Sequence, residues 1–328
     1  MVAAGLKTAI TFFNKFISST SDKEKTVIKI EVKDKVLSLS SIKNSLGFRY
    51  SIPLEEDMPK GAIAVFNSEF QKLMKNFSAK DEIQISFDNW YLTVEKGDEK
   101  QQLKGKAVQV STANYEDNGE VLIEYFNPIF KINKDFNKKT VCDLSNQMFF
   151  SLNNNQLELA NTNEAVVIYG ASEAEVKNPV NFAIPHMAVN SLLKFISLYN
   201  KNYEILKIKT TETVVSFSFD TFELIIPKKT DNKALSILRA ITEKDFEIQE
   251  TVGTDVLETY IQLPEEEQKI PFEDIKNIRV QKSFMDSILE EHALACSIPV
   301  KSTDPLLFRL EDPTLRILLL PIDKEAQK

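Results

Sequence analysis

Side chains able to do covalent or metal chemistry are few and scattered in this sequence. The only histidines are His186 and His292, and the only cysteines are Cys142 and Cys296. Neither pair has the spacing of a metal site, which needs ligands close together on one turn or hairpin. The phosphate-cradling patterns GxGxxG and GxxxxGK[ST] are absent, as are the zinc-hydrolase HExxH and the nucleophile elbow GxSxG. The acidic run Glu265, Glu266 and Glu267 reads as a solvated loop. The sequence therefore predicts no catalytic residue, no metal and no cofactor. An enzyme of unfamiliar chemistry would have to gather carboxylates or histidines in a cleft. What the sequence offers instead is cations at or beside helical segments: Lys7, Lys15, Lys72, Lys75, Lys194, Lys201, Lys276, Arg279 and Lys282. Each taken singly is an ordinary solvated lysine or arginine; as a set they can attract a polyanion without reading it.

The elements that carry these cations follow from hydrophobic periodicity. Residues 5–18 form an amphipathic helix, with Leu6, Ile10, Phe13 and Phe16 or Ile17 inward. Short strands follow at 27–32, 36–39 and up to Pro53. A strand at 62–66 then leads to a helix with Phe70, Leu73, Met74 and Phe77 inward. Asn67 or Ser68 is placed to cap it. Strands at 82–87, 90–95 and 101–110 complete the block, with Asp88-Asn89 as a hairpin turn.

The block recurs. A strand at 181–184 precedes a helix at 187–199 with Val189, Leu192, Leu193 and Ile196 inward, and strands at 203–209, 213–219 and 222–227. The helix faces align at an offset of 119 residues, and the strand faces at 123, which implies one insertion near the helix end. A weaker third copy has a strand at 278–280, a helix from Ser283 with Phe284, Ile288 and Leu289 inward, and three closing strands. Between 116 and 180 the pattern gives strands and a short or degenerate helix near 135–145. Residues 240–270 show no clear helix.

Composition sets further bounds. A length of 328 residues suits two or three domains, and 43% hydrophobic residues suit packed cores. The net charge of −8 argues against a surface that is basic all over, while leaving room for a local basic face. Two distant cysteines fit buried thiols in a reducing compartment, so a cytoplasmic location is expected. Lys7 and Lys15 interrupt the N-terminal apolar stretch, which fits a helix better than a signal peptide. No apolar run approaches the roughly 18 residues of a membrane span. Phe is abundant at 22 residues and Gly scarce at 8, a balance that suits sheet faces over nucleotide loops. Polar, turn-rich stretches place boundaries near 113 and 233. Three domains are predicted, at 1–113, 114–233 and 234–328, the third reduced.

Four stretches carry a family resemblance. GAIAVFNSEFQKLMKNFSAKDEIQISFDNWYLTVEKG and NFAIPHMAVNSLLKFISLYNKNYEILKIKTTETVVSFSFDTFELIIP resemble the second half of a DNA sliding clamp domain of the bacterial type. QLELANTNEAVVI resembles that family's strand-turn-strand around an Ala-Thr-Asp-like turn. DPLLFRLEDPTLRILLLPI resembles its closing strands, with an apolar-Pro-apolar tail. Departures stand beside these. The His-Arg that usually follows the Ala-Thr-Asp-like turn is Ala165-Val166 here, and the Tyr-Pro-like segment after the second domain is missing.

The resemblance implies an α+β fold of repeated helix-plus-antiparallel-sheet half-domains in sliding-clamp (DNA clamp) architecture. It implies a non-catalytic processivity factor for DNA replication, a homodimeric ring closed head to tail around duplex DNA. The nine cations named above would face DNA without sequence preference. DNA polymerase and clamp loader would dock short apolar peptides between domains two and three. Leu319, Leu320, Pro321 and Ile322 map to one side of that pocket, Thr162 and Val166 to the other. The competing reading is a non-catalytic structural or adaptor protein reusing the same fold, with no positive channel and no pocket.

Overall fold

The computed structural model describes residues 3–16, 26–55, 58–88, 90–111, 113–124, 147–162, 166–199, 201–230, 233–245, 247–253, 295–299, 306–310 and 314–319. They pack as two compact units. One comprises Met1–Tyr115 with Thr210–Pro227, the other Glu116–Lys209 with Lys228–Lys328. The sequence-predicted helices near 135–145 and from Ser283 lie outside the described residues.

The first unit opens with helix α1 (Ala3–Phe16), followed by strands β1 (Val27–Lys33), β2 (Val36–Lys43), β3 (Leu46–Pro53) and β4 (Gly61–Phe66). Next come α2 (Asn67–Met74), β5 (Gln84–Phe87), β6 (Tyr91–Lys96), β7 (Glu99–Lys104) and β8 (Lys106–Ala107). Strands β15 (Val214–Phe219) and β16 (Phe222–Pro227) join it from further along the chain. The pairings run β8–β4–β1–β2–β3–β16–β15, all antiparallel. Strands β5, β6 and β7 make a separate antiparallel sheet.

Turn chemistry explains how so few glycines suffice. Tight hairpin turns need positive φ, which Asn and Asp tolerate best after Gly. Asp34-Lys35, Asn44-Ser45 and Asn154-Asn155 all adopt it. Asp88 accepts hydrogen bonds at Oδ1 from the N–H groups of Trp90 (2.7 Å) and Tyr91 (2.8 Å), as its turn assignment requires.

Helix α1 lies on this sheet through aromatics. Phe12 meets Phe48 and Phe222 edge-on, and Phe16 stacks on Phe48 at 4.6 Å. Leu6 and Phe13 are buried as the periodicity predicts, but Ala3, Ala9 and Phe12 complete the buried stripe, and Ile10 is only half-buried. The inward face is thus rotated toward Phe12, because β16 supplies an aromatic partner invisible to local periodicity.

Helix α2 buries Phe70, Leu73 and Met74, and Phe77 is buried just beyond it. Its capping differs from expectation. The N-cap is Phe66 with no side-chain cap, and Asn67 is already the first helical residue, its N–H donating to Thr26 O (2.8 Å). The register of β4 against β1, with Phe66 opposite Val27, carries the strand one residue further and starts the helix without a cap.

The second unit contains β9 (Glu116–Leu122), β10 (Gln147–Asn153), β11 (Gln156–Thr162), β12 (Val166–Val176) and β13 (Val180–Pro185). Helix α3 (His186–Tyr199), β14 (Ile205–Thr210), β17 (Lys229–Thr230) and α4 (Ala234–Thr242) follow, then β18 (Ile248–Gly253), β19 (Ala295–Pro299), β20 (Leu306–Leu310) and β21 (Thr314–Leu319). One antiparallel succession runs β17–β13–β10–β11–β12–β21–β20–β19–β18. Helix α3 buries Val189, Leu192 and Ile196 as predicted, with Leu193 only half-buried. Helix α4 starts just after the predicted boundary near 233, where the sequence reading assigned no helix, and only its last residues reach into 240–270. Its nine residues bury Leu235, Leu238 and Thr242, too short a run for periodicity to separate from a strand.

Strand β12 serves three partners. Residues 167–173 pair with β11, 166–171 with β21, and Ala174–Val176 with β9. At the β9 crossing Gly119 has φ +153°, and a Cβ there would sit 2.2 Å from Glu175 O. Gly119→Ala should therefore destabilise the second unit by at least about 2 kcal/mol, through backbone displacement at this crossing. Chemical denaturation followed by circular dichroism checks it; a midpoint equal to wild type would show that β9 can shift freely.

Candidate functional site

The residues singled out by the sequence lie on or beside helices of each unit and on one strand seam of the second unit. Helices α1 to α4 carry Lys7, Lys15, Lys72, Lys194 and Arg239 against one carboxylate, Glu69, in a chain of net charge −8. In the first unit α1 and α2 touch, and Gln71 Nε2 donates to Asn14 Oδ1 (3.0 Å). Lys15 and Lys72 are exposed on this helix pair, and Lys75 is the C-cap of α2. Lys7 is half-buried; the N–H of Ser78 and then Lys96 hold the Asp81 carboxyl below its ordinary range, with Lys7 adding the smallest contribution. In the second unit Lys194 is exposed on α3. Lys201 is exposed too, but it sits in the turn after α3 rather than on the helix. Lys276, Arg279 and Lys282 lie outside the described residues.

In the second unit β12 and β21 form a seam. Val166 pairs with Leu319, Val167 with Leu318, and Thr162 with Val167. The two sides proposed from sequence therefore meet in one register. Thr162 is buried at the end of β11, its N–H donating to Asn161 Oδ1 (2.8 Å). Leu320, Pro321 and Ile322 lie outside the described residues. Helix α4 covers the neighbouring stretch: Leu235 and Leu238 pack in one cluster with Val167, Leu307 and Leu318. Sequence reasoning missed this helix. The signal available was Leu235 and Leu238 at i, i+3, with Thr242 one turn on.

A polar network ties α4 down. Tyr169 donates its hydroxyl to Glu158 Oε1 (2.6 Å), which also receives Arg239 Nη1 (2.8 Å). Arg239 Nε donates to Glu243 Oε1 (2.9 Å), which Arg316 of β21 approaches to 3.5 Å. Burial, then the Glu158 carboxylate, pushes the Tyr169 phenol well above its ordinary range, so it stays a donor. His186, at the start of α3, is buried with Nδ1 3.4 Å from Asn161 Nδ2. Burial lowers its pKa, so the ring is neutral near pH 7. Cys296 is buried in β19, and burial raises its thiol to about 12. Cys142 lies outside the described residues. Among the described residues no cluster of three potential metal ligands occurs, and no helix is long and apolar enough to cross a membrane.

Comparison with solved structures matches this arrangement along nearly the whole chain. The Helicobacter pylori beta clamp in complex with 3,4-difluorobenzamide has a TM-score of 0.67 at 13% identity, covering 98% of this chain and 99% of that one. The fold is that of the bacterial DNA polymerase III beta clamp. A second clamp, the DNA polymerase III subunit beta of Pseudomonas aeruginosa, gives a TM-score of 0.67 at 10% identity, with 98% of each chain covered. The Helicobacter pylori clamp bound to a DNA ligase peptide gives 0.65 at 13%, covering 98% of this chain and 99% of that one. The sequence pattern of the DNA polymerase III beta subunit, N-terminal domain, matches residues 25–120. The clamp fold thus follows the predicted class of repeated helix-plus-antiparallel-sheet units.

Two expected outcomes follow from the seam's chemistry. Glu158→Ala removes the acceptor of the buried Tyr169 hydroxyl and of Arg239, and should cost about 1–3 kcal/mol. Arg239→Ala, acting on a half-exposed cation, should cost about 1 kcal/mol or less. Equal losses in urea titrations would show that the network is not organised around Glu158. In a Cys142→Ser background, Cys296 should resist a thiol reagent at pH 8 until denaturant is added, because its thiolate is scarce below pH 12. Rapid labelling of the native protein would show that β19 opens readily.

Proposed function

We propose that this chain is a DNA sliding clamp, a non-catalytic processivity factor of DNA replication that encircles duplex DNA and tethers a polymerase. The observation that carries this reading is the correspondence to bacterial clamps over 98% of this chain and 98–99% of theirs. The charge pattern supports it. Cations gather on the described helices while the chain as a whole is acidic, which suits attraction to phosphates at the helices and discourages binding elsewhere. A closed ring replaces affinity by topology, so each phosphate contact can be weak.

The assembly in this reading is a head-to-tail homodimer of three-domain chains, at 1–113, 114–233 and 234–328, working in the cytoplasm. Closure needs sheet edges that can pair between copies. Among the described residues β7 offers one: it pairs with β6 on one side only. In this reading the partner pocket lies at the β12–β21 seam. The clamp of Helicobacter pylori holds a DNA ligase peptide, and the polymerase and clamp loader are the corresponding partners here. Thr162, Val166, Leu319, Leu320, Pro321 and Ile322 would line the pocket. Burying two apolar peptide side chains contributes roughly 1.5–3 kcal/mol each before ordering costs, enough for an exchangeable partner.

Three outcomes are expected. Light scattering at micromolar concentration should give the mass of a dimer; monomers alone, with no assembly on DNA in the presence of a loader, would remove encirclement. Charge reversal at Lys72, Lys75, Lys194 and Lys201 together should shorten retention on circular duplex DNA while the ring mass is unchanged. Unaltered retention would make these lysines ordinary surface residues. Leu320→Ala with Ile322→Ala should leave the ring intact and weaken the cognate polymerase's C-terminal peptide at least about tenfold, or 1.4 kcal/mol, by fluorescence anisotropy. Loss of the ring instead would make these residues core.

A further inference from the structure

Between the first turns of α4 and the sheet of the second unit lies a cavity of about 160 Å³. Six of the seven residues around it are polar: Ser151, Glu158, Asn181, Lys233, Ser236 and Arg239. The strand register puts three of these in one row. Ser151 of β10 lies directly opposite Asn181 of β13 on one side and Glu158 of β11 on the other. Directly opposed residues share a face of a sheet. Phe149, two residues before Ser151, packs in the cluster with Leu235 and Leu238, so this row also faces α4.

The row is short of partners. Ser151 is only 6% exposed, yet its side chain makes no hydrogen bond among the described residues, and neither does the amide of Asn181. A buried hydroxyl without a partner costs free energy, so Ser151 marks a place where a ligand atom belongs. On the helix side, α4 starts without a side-chain cap, and the N–H of Ser236 in its first turn has no acceptor among the described residues. Glu158 is the only carboxylate on the cavity, and its Oε1 already accepts from Tyr169 and Arg239. Two cations, Lys233 and Arg239, stand against it. A cation entering here would meet both of them and the positive end of the helix. An anion would meet donors on the sheet and on the helix.

Size narrows the class. Sites for drug-sized molecules run to about 300–1,000 Å³, and one water takes about 30 Å³. The cavity is too small for a nucleotide and too large for a single water, and it suits a tetrahedral oxyanion with a few waters. We propose that this cavity binds a free phosphate-type oxyanion, held by the Ser151 hydroxyl, the Asn181 amide and the Ser236 N–H, with Lys233 and Arg239 supplying charge. The bound ion ties the start of α4 to β10 and β13. The site lies within the second unit and stands whether or not the chain closes into a ring.

Equilibrium dialysis of the full-length protein with radiolabelled inorganic phosphate, at constant ionic strength, should show saturable uptake of one ion per chain. Ser151→Ala removes one charge-assisted hydrogen bond and should weaken uptake about tenfold. Lys233→Gln, at an exposed position, should weaken it as well. Both variants should melt with the wild type in phosphate-free buffer, and phosphate should raise the wild-type melting temperature more than theirs. That difference separates the site from the stabilisation phosphate gives any fold by exclusion from its surface. Uptake that never saturates, or that is unchanged in both variants, would overturn the site. Equal competition by chloride or acetate would overturn the ligand class. Tighter binding of deoxyadenosine monophosphate than of phosphate would overturn the free ion in favour of a nucleotide ester. If Ser151→Ala does not fold, Lys233→Gln decides between these outcomes alone.

Discussion

Strand β12 must satisfy the backbone hydrogen bonds of three neighbours at once, and the second unit is arranged around that demand. Its first half lies between β11 and β21, and its last residues turn to β9. The turn to β9 works because Gly119 presents no side chain to Glu175 O. The pairing to β21 brings Val166 opposite Leu319, and so fixes where an apolar seam can exist at all. Helix α4 then has one place to bury Leu235 and Leu238.

Polar groups refine what the sheet sets out. Glu158 is nearly buried, and a buried carboxylate is tolerated only when it is paired. Tyr169 and Arg239 provide the partners, and Arg239 carries the bond up to α4. The same chain of contacts continues through Glu243 to Arg316 on β21. Helix and sheet are thereby joined at one end by ions and at the other by aliphatic packing. In the first unit Arg49 and Glu223 (2.9 Å) play a comparable part between β3 and β16, with Ser216 donating to the same carboxylate.

Charge is distributed by element. The four described helices carry a single carboxylate, Glu69, while several acidic residues on the described strands are matched locally, as Asp117 and Glu120 are by Lys177. Partition of this kind lets an acidic chain keep basic helical faces. Long-range attraction depends on such local sums and not on the total.

Much of this was legible in the residues. Alternation in VIKIEV and WYLTVE, and the stripe Phe70, Leu73, Met74 and Phe77, fixed element types, because side-chain period follows backbone geometry. The repeat of strand, helix and strands pointed to the clamp class, and the turn at Asp88 was readable because its side chain caps its own backbone. Tertiary structure decided the rest. Phe12 is buried because Phe222, more than two hundred residues away, lies across from it. Asn67 does not cap α2 because β1 holds β4 extended through Phe66. Helix α4 exists where local pattern was too short to declare it, since its stability comes from Val167 and Leu318 beneath it. Local sequence determines which face of an element is apolar; only long-range pairing determines what that face meets.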